Sequence, residues 1–182
     1  MPETHARILN AALELVATRG FHGTSMSRIA KRVGISTATI YHHFDSQHHL
    51  YHELYQQVKT RAVRAAVAGV DDSAPLRDRV RQVNDQYITH LLLGPREASF
   101  ITRYELSTYY RQAPHIDGRD ALAELINAAT RDGIYHQPMA LLRVFSTGIA
   151  GLIAEMHEVG QLEINEQIIQ QALEMSWSAL RK

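Results

Sequence analysis

The sequence contains no cysteine. That absence excludes disulfides, thiolate metal sites and cysteine nucleophiles, and it is typical of proteins from a reducing compartment. The sequence also lacks an apolar run long enough to cross a bilayer, and its opening residues MPETHAR do not form a signal peptide. We therefore expect a cytoplasmic protein with no membrane partner.

Net charge is also lacking, because 19 Lys and Arg residues balance 19 Asp and Glu residues. Overall composition therefore gives no indication of a nucleic-acid partner. The apolar fraction of 45% and the charged fraction of 21% are those of an ordinary globular protein. A chain of 182 residues is long enough for one compact unit or for two small ones.

Apolar residues recur at the helical period along most of the chain, and no segment alternates at period two for long enough to predict a strand. Glycine, proline and capping residues divide this pattern into nine helices. We predict an all-α fold in which the first three helices form a small head, residues 1–47. A larger body, residues 48–182, begins with a long connector helix, residues 48–69.

Two short helices of the head, predicted at about Ser25–Val33 and from Ser36 to about Phe44, are separated by the tight turn Gly34-Ile35-Ser36. This is the spacing of a helix-turn-helix, whose second helix enters the major groove of DNA. Short hydroxyl and methyl side chains on that helix suit contacts with base edges and phosphates. The spacing alone leaves an ordinary helical corner as an equal alternative.

The segment RILNAALELVATRGFHGTSMSRIAKRVGISTATIYHHFDSQHHL resembles the N-terminal domain of the TetR/AcrR family of transcriptional regulators. The matching elements are Ile8-Leu9, Ala11-Ala12, Gly20-Phe21, Thr24-Ser25, Ile29-Ala30, Gly34-Ile35-Ser36, Thr39-Ile40-Tyr41, Phe44 and Leu50. The resemblance implies a nine-helix architecture and a homodimer that binds a palindromic double-stranded DNA operator. It further implies a repressor, less often an activator, that a small effector in the body releases from DNA. We predict no cofactor.

The resemblance also implies which residues of the head contact DNA, and Arg28 is added by its expected exposure. The predicted set is Thr24, Ser25, Arg28, Ser36, Thr37, Ala38, Thr39, Tyr41, His42, His43 and Gln47. Two of these depart from the family pattern. Ala38 stands where glycine is frequent, and Gln47 stands where a phosphate-binding lysine is usual, so Gln47 loses the charge but keeps a donor.

Histidine is abundant where fixed positive charge is scarce. Residues 1–58 contain five Lys and Arg, four Asp and Glu, and seven His. Because DNA affinity depends on cation–phosphate contacts and histidine titrates near neutrality, we expect operator affinity to rise as the pH falls from about 8 to about 6. The histidines in question are His42, His43, His48 and His49.

A metal site is the alternative explanation of these histidines. His48 and His52 are four residues apart, as are His49 and Glu53, so each pair shares a helix face. A metal site needs a third or fourth ligand, and the spacing supplies none. We therefore predict no metal.

The eighth predicted helix, MALLRVFSTGIAGLIAEMHEV, is apolar around most of its circumference. The resemblance implies that it pairs with the last helix in a four-helix dimer interface, whereas the plain alternative is that both are core helices of a monomer. The predicted interface residues are Gly148, Gly151, Ala154, Ile168, Ala172 and Trp177.

Aromatic and apolar residues of the body predict a pocket for an apolar or aromatic effector, although each alone is equally suited to packing. The predicted lining is Tyr87, His90, Leu91, Phe100, Tyr104, Tyr109, Phe145, Ile149 and Met156.

Two other functional classes remain to be compared with a regulator. We predict that the protein is not an enzyme, because the sequence has no glycine-rich phosphate loop, no G-x-S-x-G motif and no catalytic spacing of histidines and carboxylates. A helical small-molecule binding protein with weak or lost DNA binding stays open, since the head carries little fixed charge.

Overall fold

The computed structural model describes residues 2–110, 116, 119–135 and 139–180. Within these ranges the protein consists of nine helices and has no β-strand, which confirms the predicted all-α fold. The predicted loop at 114–118 lies almost entirely outside the described residues, as does the end of the loop predicted at 133–138. No helix of the described ranges is long and apolar enough to cross a membrane.

The head is built from α1 (Pro2–Arg19), α2 (Met26–Val33) and α3 (Thr37–Tyr41). Ile8, Ile29 and Phe44 are fully buried among them. The predicted end of α3 near Phe44 is wrong, because the helix ends at Tyr41. The amides of both His43 and Phe44 donate to the carbonyl of Ile40, which tightens the chain and directs the Phe44 ring into the core.

Helix α4 (Gln47–Val67) connects the head to the body and packs against both of them. Ser46 caps its start by accepting a hydrogen bond of 3.0 Å from the amide of His49. Leu50, Leu54 and Val58 are buried at helical spacing along one face. One rigid rod therefore runs from the three-helix head into the body, and the division of the chain at residue 47 stays a prediction.

The body contains five more helices. They are α5 (Leu76–Leu93), α6 (Pro95–Glu105), α7 (Arg119–Arg131), α8 and α9 (Glu166–Leu180). Helix α8 is continuous but has three parts, Met139–Arg143, a π-helical turn at Val144–Gly148, and Ile149–Glu158. The predicted extension of α6 to about Tyr110 is wrong, since the helix ends at Glu105 and turns follow it.

Arg103 of α6 joins three helices at the junction of head and body. Its guanidinium donates to the carbonyl of Val16 in α1 at 3.3 Å and to both carboxylate oxygens of Glu155 in α8. Ser99 donates to the same carboxylate at 2.6 Å. Partial burial alone would raise the pKa of Glu155, but the hydrogen bonds from Arg103 and Ser99 outweigh it and lower that pKa below the usual carboxyl value.

Helices α6 and α8 approach closely because Gly151 has no side chain. A Cβ built on Gly151 would overlap the hydroxyl of Thr102 and lie 2.7 Å from its Cβ. We expect Gly151→Ala to lower the free energy of unfolding by about 1–3 kcal/mol, measured by urea denaturation. Adding Thr102→Ala removes two of the three clashing atoms and should restore part of the loss. An unchanged midpoint in Gly151→Ala would contradict this packing.

The link between Glu155 and Arg103 should give stability a defined pH dependence. Since the folded state lowers the pKa of Glu155, its contribution is present above the usual carboxyl range and disappears as the pH falls through the folded pKa. Because the pair is partly exposed, we expect Glu155→Gln to cost about 1 kcal/mol at pH 7. That difference should shrink below about pH 4, and a difference independent of pH in urea titrations would refute it.

Candidate nucleic-acid interface and body cavity

The turn between α2 and α3 depends on Gly34. Its φ of 78° lies in the left-handed region, and its amide donates to the carbonyl of Ala30 at 2.9 Å to end α2. Nothing lies within 4 Å of a Cβ built on Gly34, so the backbone conformation rather than space favours glycine here. At the other end of α2, the Ser25 hydroxyl accepts a hydrogen bond from the amide of Arg28 at 3.3 Å.

Helix α3 is held in place by its own cap and by one buried residue. The Ser36 hydroxyl accepts from the Thr39 amide at 3.0 Å, and the two hydroxyls lie 2.8 Å apart. Ile40 is fully buried beneath them. The predicted contacts Ser36 and Thr39 therefore also fix the orientation of α3.

The outward surface of α3 is short and uncharged. Ala38 and His42 are exposed, Tyr41 is 52% exposed, and Thr37 is half-buried. Small side chains at the start of the helix let its backbone approach another surface closely. The tyrosine hydroxyl and the imidazole further along supply hydrogen-bonding groups.

Thr24 belongs to the interior of the head. It is 3% exposed, and its hydroxyl donates to the carbonyl of Gly20 at 2.9 Å. The prediction that this hydroxyl contacts a phosphate is therefore corrected. Its hydrogen bond to Gly20 instead stabilises the turn between α1 and α2. The neighbouring Ser25 is exposed and keeps its predicted place on the surface.

The amide of Gln47 is also used inside the protein. Its Nε2 donates to the carbonyl of Thr24 at 2.6 Å and to the hydroxyl of Tyr51 at 2.7 Å. An amide nitrogen has two protons, so the Gln47 donor predicted to contact a phosphate is already occupied. Burial raises the pKa of Tyr51 to about 12 although the bond from Gln47 opposes the shift. Gln47 thus joins the start of α4 to the loop before α2.

The arginines of the head are largely engaged with the head itself. Arg32 binds Glu14 through two nitrogens, with contacts of 2.6–3.1 Å. Arg7 donates to the Val33 carbonyl at 2.7 Å, and Arg28 donates to the Gly23 carbonyl at 2.6 Å. Arg28 nevertheless remains on the exposed surface, as does Lys31. The sequence could not reveal the contacts of Arg7 and Arg32, because each of them joins α1 to α2.

The histidines next to α3 differ in exposure. His42 is exposed, whereas His43 is half-buried with its ring 5.7 Å from the ring of His5. His5 in turn stacks on Phe44 at 4.5 Å and contacts a Glu53 oxygen at 2.6 Å. His43 is therefore partly directed into the head, and His42 is the more accessible of the two.

The histidines of α4 do not converge on one point either. The rings of His48 and His52 stack at 6.2 Å, while Nδ1 of His49 accepts from the amide of Asp45 at 3.3 Å. Burial and the two neighbouring histidines lower the pKa of His52. In the described ranges no group of three or more histidines and carboxylates could hold a metal ion.

A cavity of about 310 Å³ lies in the body between α4, α5, α7 and α8. Its polar side contains Lys59, whose Nζ donates to the Tyr87 hydroxyl at 2.6 Å and to Glu105 at 3.0 Å. The Tyr55 hydroxyl and the guanidinium of Arg143 also donate to Glu105, at 2.7 and 2.5 Å. The remaining wall is mostly apolar.

Of the nine predicted lining residues, Tyr87 borders this cavity. Leu91, Phe100 and Tyr104 are instead buried in the core, and the Tyr109 ring packs against Phe21. The prediction for these residues is corrected, because their aromatic and apolar surfaces are consumed by packing. The others lie outside the lining, namely His90 near Glu97, Phe145 and Ile149 against the core, and the half-buried Met156.

Sequence reasoning missed the charged residues of the cavity. Tyr55, Lys59 and Val63 recur at intervals of four along α4 and all line it. A buried helix face interrupted by one lysine was a usable signal, because an isolated cation is rarely buried without a partner.

The predicted dimer residues divide into two groups. Gly151, Ala154, Ala172 and Trp177 are buried inside the subunit, where a partner could not touch them, so their assignment to the interface is corrected. Their small size and apolarity serve packing between helices of one chain. Gly148 and Ile168 are partly exposed and stay predictions. The exposed large apolar residues of α8 and α9 are Leu141, Val144, Leu152 and Met175.

The sequence of the head is similar to that of known bacterial regulatory proteins. The family of bacterial regulatory proteins named tetR matches residues 8–54. The HTH-type transcriptional regulator UidR of Escherichia coli K12 is 45% identical over 60 residues, which are 33% of this chain and 31% of UidR. The HTH-type transcriptional activator FasR of Mycolicibacterium smegmatis is 32% identical over 136 residues, which are 69% of this chain and 59% of FasR.

The matched stretches thus span less than two thirds of either relative. Among solved structures, a TetR family transcription regulator from Marinobacter aquaeolei VT8 superposes with a TM-score of 0.76. The identity is 23%, and the superposition covers 98% of this chain and 96% of that one, so it shows that the fold is shared along nearly the whole chain. By these matches residues 8–54 belong to the tetR family of bacterial regulatory proteins, and the chain as a whole shares the fold of a TetR family structure.

Proposed function

We propose that the protein is a DNA-binding transcriptional regulator that a small effector releases from its operator. The observation that carries this proposal is the outward surface of α3, where Ala38, Tyr41 and His42 stand clear of the head while Ile40 anchors the helix from behind. A short, well-anchored helix with small and hydrogen-bonding side chains on its outward surface suits insertion into a major groove. The proposed role is that of a repressor, whereas the relative FasR bears the name of an activator.

A homodimer is part of the proposal. Leu152 of α8 and Met175 of α9 are each 63% exposed, and Val144 of α8 is 53% exposed. Apolar residues at such exposure on two adjacent helices support an isologous contact between two copies of the chain. A two-fold dimer presents two α3 helices to the two halves of a palindromic operator, roughly 34–36 Å apart.

The cavity supplies a route from effector to DNA. Its Lys59 lies on α4, which continues into the head, and its Glu105 lies at the end of α6. Two residues earlier on α6, Arg103 donates to Val16 of the head. A ligand that separates α4 from α6 would therefore change the angle of the head and the spacing of the two α3 helices. It acts through its different affinities for the two spacings.

A helical small-molecule binding protein with weak or lost DNA binding is the second candidate. It is favoured by the pairing of Arg7 and Arg32 within the head and by the internal use of Gln47. Both candidates contain the same ligand cavity, so DNA binding is the property that separates them.

DNA selection tests the proposal and its geometry together. We expect the protein to enrich one palindromic sequence from fragments of its source genome at low salt, and recovery of no sequence would favour the small-molecule binding protein. Ala38→Asp places a negative charge on the exposed surface of α3 and should weaken binding of the selected operator at least about 100-fold in titrations. Ala121→Asp is the matched control, since Ala121 is an exposed alanine in the first turn of α7, and it should bind normally.

Operator affinity should also depend on pH. A histidine beside a phosphate gains charge as the pH falls, so binding should strengthen between about pH 8 and pH 6 at constant salt. Because His42 is exposed on α3, His42→Gln should remove much of that dependence, measured by fluorescence anisotropy. His90→Gln in the body is the control and should retain it. An operator affinity of the unmodified protein that does not change over this pH range would contradict the prediction.

A further inference from the structure

The polar side of the cavity carries an excess of positive charge. Three of its lining residues bear formal charge, namely Lys59, Glu105 and Arg143, among those that the structure describes. Both cations contact the one carboxylate, Lys59 at Oε1 and Arg143 at Oε2. Two positive charges therefore face one negative charge, which leaves this side of the cavity with a net charge of +1.

The surroundings keep these groups ionised. Burial alone would lower the pKa of Lys59, but Tyr87 and Glu105 together raise it above the ordinary lysine value. Burial alone would raise the pKa of Glu105, but Lys59, Tyr55 and Arg143 together lower it. Near neutral pH the lysine is thus an ammonium and the glutamate a carboxylate.

Most of the acceptor capacity of the Glu105 carboxylate is already used. It accepts from Tyr55, Lys59 and Arg143, so it has little capacity left for a cationic ligand. Arg143 differs, because one guanidinium nitrogen contacts Glu105 while the side chain is 49% exposed. A guanidinium has five N–H donors in a planar fork, which suits a second carboxylate beside the first.

The rest of the wall limits the size and polarity of a ligand. Val80, Val83, Leu125 and Leu142 line the cavity opposite or beside the charged residues. A volume of about 310 Å³ is at the lower end of the range for ligand sites, which accommodates one ring or a short chain.

We propose that the cavity binds a small organic acid, with its apolar ring or short chain against the valine and leucine wall and its carboxylate at Arg143 and Lys59. The acid neutralises the excess positive charge and competes with Glu105 for the two cations. This inference deepens the effector-controlled function proposed above by naming the chemical class of the effector. It also gives the effector a direct means of loosening α4 from α6, since Lys59 and Glu105 join those two helices.

The acid class is tested with matched pairs of probes on the full chain in the absence of DNA. Benzoate, phenylacetate and hexanoate are each compared with the corresponding uncharged amide by isothermal titration calorimetry at pH 7. At least one acid should bind, with its amide roughly 10- to 100-fold weaker, as expected for the loss of a charge-assisted contact. Equal binding of acid and amide, or no binding of any acid up to millimolar concentration, would overturn the proposal.

Two variants identify the charge that is responsible for the preference for an acid over its amide. Arg143→Met leaves the Lys59–Glu105 pair intact and reduces the net charge of the cavity wall to zero, so the preference for the acid over its amide should fall to within about threefold. Arg61→Met is the control, because Arg61 is 50% exposed, pairs with Glu97 and lies outside the cavity lining. It should keep the full preference, and an equal loss in both variants would place the selection elsewhere.

The experiment also separates this inference from the regulatory function. Acid binding without any selected operator would retain the ligand class and reject the regulator, leaving a helical binding protein. Conversely, a specific operator together with no acid preference would retain the regulator and reject the ligand class.

Discussion

The largely buried ion pair of Lys59 and Glu105 joins the two helices on which the position of the head depends. Lys59 lies on the helix that carries the head, and Glu105 ends the helix that supports it, so this ion pair links α4 to α6. Burying two charges is costly unless each has further partners. Tyr55, Tyr87 and Arg143 supply those partners. Four helices are thereby joined at one polar point beside an otherwise apolar cavity.

The head depends on a different kind of interaction, namely hydrogen bonds from side chains to backbone carbonyls. Backbone carbonyls at the ends of its helices and in the loop before α2 accept hydrogen bonds from side chains. Gln47 and Thr24 close the loop before α2, and Arg7 closes the end of α2. These bonds consume donors and cations that a charged DNA-binding surface would otherwise present. The low fixed charge of the outward surface follows first from α3 itself, since Thr37–Tyr41 includes no Lys or Arg, and the internal bonds add to it.

The sequence predicted those features of the fold that depend on residues close together in the chain. Caps and glycine turns act within four residues, so the helix order and the turn at Gly34 were predictable from local sequence. Phe100 and Tyr104 illustrate the limit, because an aromatic side chain at helical spacing looks the same whether its neighbours fill the space around it or leave a cavity. The use of Gln47 likewise depends on a carbonyl 23 residues away. Interactions between distant segments decide both cases.

The π-helical turn of α8 lets a single helix face two different environments. Before it, Leu142 and Arg143 line the cavity, and after it Gly151 and Glu155 pack on α6. One additional residue in a turn rotates everything that follows by about 100° relative to a regular helix. Removing one residue from Val144–Gly148 would therefore leave the composition of α8 almost unchanged and yet turn Glu155 away from Arg103. The number of residues in this one turn thus sets the rotation between the two halves of the helix. Substitutions that keep that number leave the rotation unchanged.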